Sequence, residues 1–152
     1  MPRTPSELFL VSILISVNKI IRNSENLSYQ NFTRDEKIFG FLTRELQEIG
    51  ESVNKLLKDA LLPSNEREKW REVAAFRNIV VHEYFGVHPA ILFEVIIKDV
   101  PVLKEDIMVI VQKLKDKTFF LQALSDTKKV YTALERYDTV SYIEEIEKIF
   151  NM

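Results

Sequence analysis

Positions 77 to 86 read Arg-Asn-Ile-Val-Val-His-Glu-Tyr-Phe-Gly, which places a permanent cation, an amide, an imidazole and a phenol within ten residues. Arg77 falls beside an apolar stripe of Val73, Phe76 and Val80, where a guanidinium is costly to bury unless it is paired. His82 falls in the turn before Gly86, and a helix C-terminus there favours imidazolium and keeps its titration near neutrality, as proton transfer requires. Asn78 and His82 align at i, i+4, and Tyr84 returns to nearly the azimuth of Arg77 seven residues on. Arg77 and His82 themselves stand about 140° apart on a regular helix. They meet on one phosphate if the helix end distorts or if a second copy of the chain contributes, which suggests a composite site at a two-fold axis. The structural alternative is an ion pair from Arg77 to Glu48 or Glu51 and a hydrogen-bonded structural histidine at position 82.

Composition removes most other chemistry. Cysteine is absent, so disulfides, thiolate zinc sites and a thiol nucleophile are excluded. The two histidines, His82 and His88, have no i, i+4 pairing for zinc, and three glycines argue against a phosphate-cradling loop. His88, beside Pro89, reads as a loop or N-cap residue. No metal and no cofactor are expected. With 21 Lys and Arg against 23 Asp and Glu, the net charge is −2, so any contact with RNA must be local rather than drawn by a basic field. The mixed run Glu66, Arg67, Glu68, Lys69, Arg71, Glu72 reads as a solvated face, as do Glu144, Glu145 and Glu147. Phe9, Phe39, Phe41, Phe119 and Phe120 are expected in the core.

The elements that must position this string are helical. At 152 residues and 46% apolar content, the chain suits one globular domain. Leu10, Leu14, Val17 and Ile21 share one face of a first helix capped by Ser6 and running to about Arg22, with Ser12, Ser16, Lys19 and Asn23 on another. The apolar run Leu8 to Ile21 is too short to span a bilayer, and no cleavage site follows it, so a non-membrane, cytoplasmic protein is expected. The polar stretch Asn23 to Asn31 reads as a loop. Thr33 with Glu36 forms a capping box opening a second helix with Ile38, Leu42, Ile49, Val53 and Leu57 inside.

Asn65 with Glu68 offers another box, before a third helix from Glu66 to Phe85 stopped by Gly86. Pro89 opens a fourth helix that Pro101 must kink or break. Two further segments, Phe119 to Arg136 and Ser141 to Phe150, follow, with Ser141 and Glu144 as a last box. The expected fold is an all-α antiparallel bundle of four to five helices with an extra C-terminal helical segment, divided as residues 1–117 and an extension over 118–152 packed on the same domain.

The string Arg77 to Gly86, read with Glu48-Ile49-Gly50-Glu51, Trp70-Arg71-Glu72-Val73-Ala74 and the acidic-x-Pro-x-Leu break at Asp99-Val100-Pro101-Val102-Leu103, resembles the HEPN superfamily. It is most similar to the HepT branch, the toxins of HepT–MntA toxin–antitoxin pairs. The likeness covers roughly residues 6 to 117. It implies a homodimer built around Arg-x4-His-x-Tyr, acting as a metal-independent endoribonuclease on RNA such as tRNA. By the same resemblance His82 is the general acid or base, Arg77 holds the phosphate, and Asn78 orients either of them. Tyr84 then matches the tyrosine to which an MntA-like minimal nucleotidyltransferase antitoxin transfers AMP, and the added anion would block the cleft. The extension beyond Lys117 departs from that pattern. A different function class stays open, a non-catalytic module that binds or is modified by the nucleotidyltransferase through Tyr84 alone.

Overall fold

The computed structural model describes residues 5–59, 61–81 and 89–151, and of residues 79–81 the backbone alone. Among them every regular element is a helix. The first, α1 (Glu7–Ser24), is the axis of the molecule. Leu10, Ile13, Leu14, Val17 and Ile20 are fully buried on one face, and Val11, Ile15 and Ser16 are buried on the others. Such all-round burial exceeds the one-sided stripe expected from the sequence. It arises because α3 (Glu36–Leu56), α7 (Val100–Lys113), α8 (Thr118–Ala133) and α9 (Tyr137–Phe150) all pack against α1. Ser6 does not cap α1, because its hydroxyl donates to the Asp59 carboxylate instead.

The stretch expected as a loop holds a short helix, α2 (Tyr29–Arg34). Ser28 starts it by accepting the Asn31 amide at 3.1 Å. Phe32 secures it, fully buried and with its ring 4.9 Å from Phe39 and 5.4 Å from Phe93. The expected Thr33–Glu36 box is absent because Asp35 caps α3, accepting the Lys37 and Ile38 amides at 3.0 and 3.1 Å. Along α3 the residues Leu42, Leu46, Ile49, Val53 and Leu56 are all fully buried, at the three- and four-residue spacing of one helical face. Ser52 donates to Ser12 at 3.2 Å and Lys55 lies 5.5 Å over the Phe9 ring, so α3 descends as α1 ascends. The pair is antiparallel.

The third helix of the sequence reading is broken. A 3-10 turn, Ser64–Glu66, follows Pro63 without the expected Asn65–Glu68 side-chain cap. Then come α4 (Arg67–Ala74) and α5 (Phe76–Val81), separated at Ala75, with the described chain resuming at α6 (Pro89–Glu94). The stop at Gly86 and the placement of His88 lie outside the described residues. Pro101 acts as expected. It has no amide to give, and the preceding turn, Val95–Asp99, widens to a π helix in which the Val100 amide reaches the Val95 carbonyl before α7 resumes.

The C-terminal hairpin of α8 and α9 buries Phe120, Leu124 and Ile143 completely. Lys128 and Glu147 join its arms at 2.7 Å, and this bond holds the Lys128 ammonium above its usual range. Ser141 is interior to α9, so it caps nothing. Of the aromatics expected inside, Phe120 is core and Phe9 and Phe39 flank it. Phe41 and Phe119 are exposed because they fall on the outer faces of α3 and α8.

Candidate functional site

Arg77 is the second residue of α5, and its position is set by Gly50 on α3. A Cβ at Gly50 would stand 2.5 Å from the Arg77 backbone nitrogen and 2.9 Å from the Ala74 carbonyl oxygen, closer than real side chains approach backbone. The absent side chain therefore lets the α4–α5 break press onto α3. A glycine in a helix interior costs roughly 1 kcal/mol against alanine, and a close backbone approach of this kind is what repays it. The signal for it in the sequence is a glycine inside a helical apolar pattern.

With its backbone seated there, Arg77 sends its guanidinium toward the next residue of α3, 3.7 Å from the Glu51 carboxylate. The pair is half-exposed, at 37% and 47% of the two side chains. Of the partners the sequence offered, Glu51 takes the role and Glu48 stays exposed. A pair this open contributes little to stability, about 0–1 kcal/mol. It holds the guanidinium in place while leaving N–H donors open to solvent, as an anion site requires.

Asn78 is exposed, and its backbone N–H donates to the Ala75 carbonyl at 2.9 Å, closing the turn at the helix break. His82 and Tyr84 lie outside the described residues, so of the four singled-out residues the structure places Arg77 and Asn78, adjacent at the start of α5. Among the described residues no group of three or more His, Cys, Asp and Glu side chains is arranged to hold a metal ion. No described helix is long and apolar enough to cross a membrane.

A cavity of about 270 Å³ opens between α4–α5 and α7, lined by Lys69, Glu72, Val73, Phe76, Asp99, Val102, Leu103 and Asp106. Phe76 directly precedes Arg77, and Asp99, Val102 and Leu103 belong to the acidic-x-Pro-x-Leu stretch. The π turn brings that stretch to the cavity wall.

A sequence model of the family described as Ribonuclease HepT-like matches residues 13–110, which include the whole string from Arg77 to Gly86. A Caldanaerobacter subterraneus protein named "Putative RNase" is 33% identical over 107 residues, covering 70% of this chain and 95% of that protein. A Thermococcus cleftensis protein named "Probable ribonuclease HepT" is 28% identical over 96 residues, covering 63% and 86%. A longer Methanocaldococcus jannaschii protein, named for both a gamma-glutamylcyclotransferase and an RNase, is 29% identical over 146 residues, covering 91% of this chain and 63% of its own length. A match of that extent runs past Lys117 into the C-terminal hairpin. No solved structure matches the chain. From its sequence match and its all-helical build, this chain belongs to the HepT-like ribonuclease family.

Proposed function

We propose that this protein is a metal-independent endoribonuclease, the toxin of a two-component pair, whose site is Arg77-x4-His82-x-Tyr84 in a homodimer. The observation that carries this reading is the family match across residues 13–110, within which α3 seats Arg77 with donors open to solvent. In the proposed reaction His82 takes the proton of a ribose 2′-hydroxyl as its oxygen bonds to the adjacent phosphorus. The phosphorus–O5′ bond breaks, the imidazolium so formed gives its proton to the leaving 5′-oxygen, and a 2′,3′-cyclic phosphate remains. Arg77 neutralises the charge that builds on the non-bridging oxygens, and Asn78 orients the imidazole or the phosphate. Two copies bring Arg77 and His82 onto one phosphate where a regular helix would hold them about 140° apart. AMP transferred to Tyr84 by an MntA-like nucleotidyltransferase would add bulk and negative charge beside that cleft and exclude RNA.

Wild type, Arg77→Ala and His82→Ala, purified alike without the partner, are incubated with total tRNA in excess EDTA. Cleavage by wild type alone, from protein whose intact mass carries no AMP, is the expected result. Equal cleavage by His82→Ala would place the activity elsewhere.

A further inference from the structure

The cavity lined by Phe76, the residue before Arg77, has the composition of a base-recognition slot. Phe76 and Val73 on one wall and Val102 and Leu103 on the other supply apolar surface, and single-stranded RNA bases are held by stacking on aromatic rings such as that of Phe76. Its polar groups are mainly acceptors. Asp106 is engaged by Lys69 at 2.8 Å, while Glu72 and Asp99 are exposed and make no ion pair among the described residues. Carboxylates repel phosphate, so an incoming nucleotide is oriented with its phosphate toward Arg77 and its base toward the cavity. Ionised carboxylates only accept hydrogen bonds, and therefore select a base edge rich in donors. Guanine presents N1–H and N2–H₂ side by side, a pair that a carboxylate accepts together, with O6 next to them for an ammonium such as that of Lys69. Cytosine and adenine offer one amino group, and uracil one imino proton. The π turn Val95–Asp99 places Asp99 at the wall, and π turns inside helices occur frequently at functional sites.

We propose that the cavity between α4–α5 and α7 is a guanine-binding subsite for the nucleotide whose phosphate Arg77 holds. The subsite rests on the ribonuclease reading for its place in a reaction, but its binding is measurable without cleavage. Full-length wild type is titrated calorimetrically with 3′-GMP, 3′-AMP, 3′-CMP and 3′-UMP. The same set is run on the double variant Glu72→Gln/Asp99→Asn, and on Val102→Trp, which fills the mouth from a side chain that is 58% exposed. All three proteins are checked for an unchanged thermal transition. The expected result is 3′-GMP binding about tenfold tighter than the pyrimidine nucleotides to wild type. That preference is lost in the double variant, and binding of all four is weakened by Val102→Trp. Equal binding of the four nucleotides, no binding of 3′-GMP, or a preference that survives in the double variant overturns the proposal. Cleavage that needs Arg77 alongside indiscriminate nucleotide binding would remove the subsite and leave the ribonuclease. Selective 3′-GMP binding by a protein that cuts no RNA would do the reverse.

Discussion

The backbone nitrogen of Arg77 occupies space that any side chain at position 50 would need, since a Cβ on Gly50 would lie 2.5 Å from it. The neighbouring residue on α3, Glu51, then meets the Arg77 guanidinium at 3.7 Å. One helix thus fixes both ends of the arginine, the main chain by contact and the side chain by charge.

Gly50→Ala should therefore move Arg77. Alanine gains roughly 1 kcal/mol of helix propensity, but overpacking costs typically 1–3 kcal/mol, and rigid backbone on the far side leaves little room to relax. We expect a net loss of about 1–2 kcal/mol, seen as a fall in Tm of roughly 2–8 °C, together with a loss of RNA cleavage larger than that fall explains. An unchanged Tm would mean that the α4–α5 break yields freely.

Glu51→Gln should behave differently, because it keeps the shape and removes the charge. Stability should stay within about 0.5 kcal/mol, as expected for a half-exposed pair. Without a competing carboxylate the guanidinium should bind substrate phosphate more strongly, so KM for RNA should fall several-fold with kcat little changed. A raised KM would show that Glu51 serves chiefly to aim Arg77.

The C-terminal hairpin is predicted to be part of the folding unit. Phe120 is fully buried with its ring 5.8 Å from that of Phe150, and Phe120→Ala should cost about 3–5 kcal/mol. A single cooperative melt shifted down is expected. Two separate transitions in the variant would mark residues 118–152 as an independent unit.

Tyr142 offers a pH test. Its hydroxyl is buried without a hydrogen-bond partner among the described residues, and burial, with Glu145 nearby, pushes its ionisation well above the usual tyrosine range. A raised folded-state value makes the neutral form's contribution complete below the unfolded pKa of about 10 and progressively lost as pH rises beyond it. Tyr142→Phe should thus leave stability at pH 7 unchanged or raised by up to about 1 kcal/mol, since an unsatisfied group is removed. It should also flatten the loss of Tm between about pH 10 and 12, read by thermal melts across that range.

Much of the fold was legible because it depends on local rules. Helical spacing gave α3 its buried face, Pro89 opened α6, and Pro101 imposed its break. The capping expectations fared worse. Ser28 and Asp35 cap where Thr33 was expected, Ser6 bonds Asp59 across the fold, and Ser141 lies inside α9. A cap is a competition between neighbouring acceptors, decided by where Phe32 and its ring partners anchor the chain, which short-range pattern does not encode.

By itself the sequence determined an all-α chain, the exclusion of thiol chemistry and the string from Arg77 to Tyr84, which falls inside the span that matches the family. These follow from residue identity and spacing, which are local. Tertiary structure decided that Glu51 rather than Glu48 partners Arg77, that Gly50 admits the α4–α5 break, and that the Pro101 stretch forms a cavity wall with Phe76. Each of these joins residues more than twenty positions apart. Their meeting depends on how whole helices pack around α1, and no periodicity within one helix carries that information.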